Sequence, residues 1–159
     1  MKVTAYDLYV APEVFAEEGV ESVSVEQVAR RADYVSCYLP LTSETRGMLD
    51  ARFFAWMKPT AYFVNTGRGA VVNESDLVAA LREGRIAGAG LDVFENERID
   101  SGHPLCELDN VLLTPHPASY SDTAISAPHC RAALSALAVA RGGLPEFVAN
   151  KEVLSHRRK

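Results

Sequence analysis

The chain has 159 residues, an apolar content of 48%, a charged content of 23% and a formal net charge of −5. That size and composition suit one globular unit with its own core, and the acidic balance argues against a nucleic-acid partner, since phosphate binding needs a surplus of Lys and Arg. No apolar run has membrane-spanning length, and the absence of a secretory stretch at the N-terminus gives cytoplasmic as the expected location. Cys37, Cys106 and Cys130 contain no CxxC pair, so they read as reduced thiols rather than a disulfide frame or zinc site, and no metal is expected.

Along the chain, strand patterns alternate with helix patterns. Val3 to Tyr6 is a strand candidate ending at Asp7, and Pro12 suits the first turn of a short helix that runs to about Glu18 and stops at Gly19. Val20 to Val23 reads as a short strand. Ser24 caps a helix over Val25 to Arg31. Tyr34 to Leu39 is a strand closed by Pro40. Asp50 starts a helix through Phe53 and Trp56, ended by Pro59. Ala61 to Val64 is a buried strand. Asn73 caps a helix with Leu77, Val78 and Leu81 on one face and Gly84 as its stop. Ile86 to Val93 and Val111 to Thr114 are the last strands. Ser121 or Asp122 opens a long helix ending near Gly142 and Gly143.

This alternation predicts an α/β fold, a parallel sheet with helices on both faces and right-handed crossovers. Ligands bind such sheets at the carboxyl ends of the strands. The residues found there are Asp7, Pro40, Asn65 to Arg68, Asp92 to Glu97, and His116. Loops are polar in any protein, and for each residue singly that accounts for it. For the whole set it accounts less well.

Asn65-Thr66-Gly67-Arg68-Gly69 places an arginine between two glycines directly after an apolar strand. Glycine permits a tight turn close to a ligand, and the guanidinium fork fits a carboxylate. By itself this is more often a surface arginine. Asp92 to Glu97 brings acids to the end of a strand of small residues, where a solvated acidic loop is the plainer explanation, above all for Glu95. In Thr114-Pro115-His116-Pro117 a histidine sits between prolines; a lone one is more often structural. Taken together, arginine, acid and histidine at successive strand ends suit alcohol–ketone exchange. The histidine moves a proton, the carboxylate orients it, and the arginine holds and polarises the substrate. The hydride would come from a nicotinamide cofactor. His103 and His129 read as structural or surface residues, and Phe53, Phe54 and Trp56 as helix core.

The stretch Ala61-Tyr62-Phe63-Val64-Asn65-Thr66-Gly67-Arg68-Gly69-Ala70-Val71-Val72, continued by Leu77 to Phe94 and by Thr114-Pro115-His116, resembles the D-isomer-specific 2-hydroxyacid dehydrogenases. The match runs from about Val3 to the chain end. Tyr120-Ser121 and Phe147 to Lys151 are most similar to the branch containing the C-terminal-binding-protein corepressors. The resemblance implies an NAD-dependent oxidoreductase acting between a 2-hydroxy acid and a 2-keto acid. It assigns Arg68 to the substrate carboxylate and carbonyl, His116 to acid/base work and Glu97 to pairing with it, five residues after Asp92. It puts Asp92 at the nicotinamide amide and Asp7 at the adenosine ribose, which favours NAD over NADP. Tyr38, Leu39, Pro40, Leu41 and Thr42 would pass alongside the cofactor, Thr66 and Gly67 would line the nicotinamide side, and Ala118 and Ser119 would lie next to His116.

The family pattern also requires a G-x-G-x-x-G turn about twenty residues before Asp7, and only six residues precede it. The expected fold is therefore an incomplete Rossmann-like doubly wound sheet without its first strand. Residues 1–120 form a partial NAD-binding domain, and residues 121–159 a helix and tail that would return to an absent substrate domain. The missing strand belongs beside Val3 to Tyr6, so its loss should split the sheet and bare two edges. The isolated chain is expected to be poorly stable, with weak or no NAD affinity and little turnover. A homodimer or a second chain supplying the missing half is the expected assembly. The alternative function is a non-catalytic nucleotide-sensing or interaction module, or an inactive remnant of such an enzyme.

Overall fold

The computed structural model describes residues 1–97, 99–117 and 120–156. The chain divides into two compact units, Met1–Ala118 and Ser119–Lys159.

The first unit begins with β1 (Thr4–Ala5), α1 (Pro12–Glu17), β2 (Glu21–Ser22) and α2 (Val25–Arg31). Gly19, in the left-handed region at φ 67°, turns the chain out of α1. Ser24 and Gln27 form a reciprocal cap on α2: Ser24 Oγ accepts the Gln27 N–H at 3.2 Å, and Gln27 Oε1 accepts the Ser24 N–H at 3.0 Å. Then follow β3 (Tyr34–Cys37), α3 (Ala51–Trp56), β4 (Tyr62–Asn65), α4 (Glu74–Arg82), β5 (Gly88–Leu91) and β6 (Val111–Leu113). Asp50 caps α3 by accepting the N–H groups of Arg52 and Phe53, and Asn73 caps α4 by accepting that of Asp76. Gly84 ends α4 at φ 64°. The strands are shorter than their apolar runs. Ile86 and Val93 are buried, yet they lie beyond the four paired residues of β4 and β5.

Among the described residues the strands pair in parallel, in two sheets. β1 pairs with β2, and the second sheet has the order β3-β4-β5-β6. Among the described residues, β1 and β3 each have a strand on one side only. The split expected from the sequence is therefore present.

Within the first unit, α3 and α4 lie on one face of the four-stranded sheet. Its strand order advances in one direction, so right-handed crossovers put α3 and α4 on the same side. That side carries Val35, Cys37, Phe63, Asn65, Ala89 and Leu91, all buried. Phe53, Phe54 and Phe63 meet edge to face there, with centroids 5.4 to 6.2 Å apart. Phe53 and Phe54 are helix core as expected, while Trp56 is half-buried beneath the guanidinium groups of Arg30 and Arg52. On the opposite face Tyr34 and Tyr62 stack, and Leu112 is exposed. Burial in β3 pushes the Cys37 thiol pKa up, a Leu39 backbone hydrogen bond opposing it, which disfavours the reactive thiolate.

The second unit carries α5 (Asp122–Ala140), capped by Ser121, containing Pro128 and ending before Gly142 at φ 79°. No helix among the described residues is long and apolar enough to cross a membrane.

Near β2, Glu21 takes a two-pronged hydrogen bond from Arg31 at 2.9 and 2.6 Å, with Lys2 at 3.4 Å. The Arg31 hydrogen bond lowers the Glu21 carboxyl from 4.5 to about 2. A lowered carboxyl contributes stability that is complete above its ordinary value and is lost as pH falls through the lowered one. Denaturant titration from pH 5 to 2 should therefore show an acid-dependent loss that Glu21→Gln removes.

Candidate active site

The ladder puts the strand ends in one row. Cys37 pairs with Asn65, Asn65 with Leu91, and Leu91 with Leu113. Hydrogen bonds continue one residue further, from Thr66 N–H to Cys37 O, Asp92 N–H to Asn65 O and Thr114 N–H to Leu91 O. The residues expected to carry chemistry thus leave the sheet side by side, on strands about 4.8 Å apart.

The turn after β4 is built around Asn65, whose side chain is 1% exposed. Its Oδ1 accepts the Gly67 N–H at 3.0 Å, and its Nδ2 donates to Arg68 O at 3.2 Å. One buried amide therefore closes the turn that presents Arg68. Arg68 is exposed, and its Nη1 donates to Gly67 O at 2.7 Å. A Cβ on Gly67 would come within 3.1 Å of the Tyr38 and Leu39 backbone. Tyr38, Leu39, Pro40 and Leu41 join Gly67 and Arg68 around a cavity of about 350 Å³. Thr42 is turned inward on its own loop, its Oγ1 accepting the N–H groups of Glu44 and Thr45.

Asp92, 4% exposed, follows β5 and accepts a hydrogen bond from Thr114 Oγ1 at 2.5 Å. The next turn lies against the first: a Cβ on Gly69 would fall 1.8 Å from Phe94 O. Beyond Phe94 the chain emerges, and Glu97 Oε2 lies 3.2 Å from His116 Nδ1, both side chains about half exposed. His116 holds φ at 56°, a left-handed backbone in a non-glycine residue. Such conformations cost on the order of 1–3 kcal/mol and cluster at functional sites.

Asp7 stands apart, at the end of the other sheet. Its Oδ1 accepts the N–H groups of Tyr9 and Val10 at 2.7 and 3.2 Å. Tyr9 Oη donates to Glu44 Oε2 at 2.8 Å, which raises the Tyr9 pKa and ties the Asp7 loop to the loop after β3. The expectations for Ala118 and Ser119 fall outside the described residues. Sequence reasoning named Asn65 only as part of its motif, without a role, and did not name Glu74. Asn65 had a signal, since the period-2 alternation of β4 points it inward with Phe63. Glu74 accepts the Glu95 N–H at 3.1 Å, a contact between residues 21 apart that no local pattern announces.

Gly69→Ala should shift the Phe94 backbone and destabilise the chain by about 2 kcal/mol or more. Gly90→Ala, with its nearest neighbour at 3.9 Å, should cost far less, and urea denaturation of the two variants checks the contrast.

The chain is similar to known proteins. Residues 1–118 match the family model described as D-isomer specific 2-hydroxyacid dehydrogenase, NAD binding domain. A glyoxylate reductase of Korarchaeum cryptofilum is 43% identical over 99% of this chain and 47% of its own length. A D-3-phosphoglycerate dehydrogenase of Methanocaldococcus jannaschii is 39% identical over 94% of this chain and 29% of its own length. The crystal structure of D-lactate dehydrogenase with NAD+ from Lactobacillus jensenii superposes with a TM-score of 0.84, at 31% identity, over 94% of this chain and 48% of that one. The chain spans about half the length of the glyoxylate reductase.

Proposed function

Since the chain belongs to the D-isomer-specific 2-hydroxyacid dehydrogenases, as their NAD-binding domain, we propose that it is the cofactor-side half of an enzyme that reduces a 2-keto acid to a 2-hydroxy acid. The observation that carries this reading is the Glu97–His116 pair at 3.2 Å, set on the same edge of the sheet as the Arg68 turn.

The cofactor's surroundings fit. Gly67 lets the turn after β4 approach the Tyr38–Leu39 backbone, where a Cβ would come within 3.1 Å, and the cavity beside it is open. Thr66 and Gly67 would face the nicotinamide, with Asp92 at its amide, and Tyr38, Leu39, Pro40, Leu41 and Thr42 would run alongside. Asp7 would take the ribose hydroxyls, and its charge would repel a 2′-phosphate. Ala118 and Ser119 complete the group assigned beside His116. When bound, NADH supplies the hydride for the carbonyl carbon.

Arg68 grips the substrate carboxylate and draws charge toward the neighbouring carbonyl oxygen. Glu97 on Nδ1 of His116 leaves Nε2 directed at the substrate, and this nitrogen gives its proton to the oxygen as charge develops there. In the oxidative direction the same nitrogen removes the hydroxyl proton. Substrate specificity would be completed by chain beyond these residues. We place the enzyme in the cytoplasm, as a homodimer or with a second chain filling the gap between β1 and β3.

The test is NADH oxidation with glyoxylate and with pyruvate, by the protein whose β1–β3 gap is filled. His116→Asn, which tolerates a left-handed backbone, should lower kcat by about 10²–10⁴-fold. Arg68→Gln should act mainly through the keto-acid KM. Equal turnover by the parent and by His116→Asn would sink the assignment.

A further inference from the structure

The segment between β5 and β6 carries Glu97 at its exposed crest. Phe94 and Ile99 anchor its base in the core, but residues 95–97 are exposed, and apolar packing gives them no direction. On the helix side this segment borders a cavity of about 590 Å³ lined by Glu74, Val78, Arg82, Glu95, His103 and Pro104. Polar contacts tie the segment to α4.

Those contacts converge on one carboxylate. Glu74, the first residue of α4, accepts the Glu95 N–H on Oε2 at 3.1 Å and meets His103 Nε2 with Oε1 at 2.9 Å. His103 in turn accepts the Leu105 N–H on Nδ1 at 3.3 Å, capping the short 3-10 helix Pro104–Glu107. With Nδ1 accepting, the ring proton belongs on Nε2, where it donates to Glu74. Both side chains are mostly buried, 15% and 21% exposed, and a hydrogen bond to a charged group there is stronger than one in open water. Glu74 thus holds the segment at Glu95 and at His103, on either side of Glu97.

We propose that Glu74, acting through Glu95 and His103, is a positioning residue that holds Glu97 against His116. This rests on the acid/base reading of that pair, in which a small displacement of the carboxylate lowers the reaction rate. Because Glu74 is the first residue of α4, these two bonds tie α4 to the acidic segment and to the 3-10 helix.

The experiment follows the His116 ring resonances by NMR in the full chain. Glu97→Gln defines the displacement that loss of the pair produces. Glu74→Ala should reproduce most of it, and His103→Asn, which keeps an acceptor for the Leu105 N–H but cannot reach Glu74, should move the ring the same way. Glu74→Ala added to Glu97→Gln should move it no further, because the effect passes through Glu97. Amide exchange at Glu95 should quicken in Glu74→Ala. His116 resonances that stay at their parental positions while Glu95 exchange rises would overturn the proposal, leaving the clamp as local support only. So would an additive effect in the double variant, or a Glu97→Gln variant that leaves the ring unmoved. In the turnover assay Glu74→Ala should lower kcat on the order of 10- to 100-fold with the NADH KM unchanged. If the parental protein turns over no keto acid, the acid/base reading fails while the NMR comparison still decides the clamp.

Discussion

Parallel pairing of β3 through β6, with Cys37, Asn65, Leu91 and Leu113 in one row, is the constraint on which the site depends. Because neighbouring strands end level, the turns that follow them must share one edge of the sheet. Because adjacent parallel strands lie so close, those turns have to touch. Gly67 against Tyr38 and Leu39, and Gly69 against Phe94, are those contacts, and neither position has room for a larger residue. The helix layer holds the row from behind through Phe53, Phe54 and Phe63. The distance between Glu97 and His116 thus follows from register as much as from the two side chains.

Much of this could be read from the residue pattern. The α2 helix falls on Val25–Arg31 as its cap indicates, and the caps at Asp50 and Asn73 stand at the expected helix starts. These are local effects, complete within a few residues. The strand limits were less legible, because an apolar run marks burial and the ladder marks partners: Ile86 and Val93 are buried without being paired as strand. The uncovered sheet face depends on the direction in which the strand order grows, which alternation of elements does not encode.

The site divides in the same way. Arg68 and His116 lie in short motifs with strong turn chemistry, so residue type and position drew attention to them, while the family resemblance picked Glu97 out of its acidic stretch. Asn65 closes its own turn from a buried position and Glu74 bridges distant segments, and an Asn after an apolar strand or a Glu opening a helix looks ordinary until the partner is known. His103 looked structural from sequence, and its position, capping a 3-10 helix while pairing with a mostly buried carboxylate, shows how a structural histidine can stand next to the chemistry.

The left-handed backbone at His116 bears on the history of such chains. Asn and Gly accept that conformation more readily than His does, so a lineage relieved of the proposed proton transfer gains something by replacing the imidazole. Drift in an idle copy is then biased toward those two residues at this position. Position 116 is where a working copy and a decaying one should first part company.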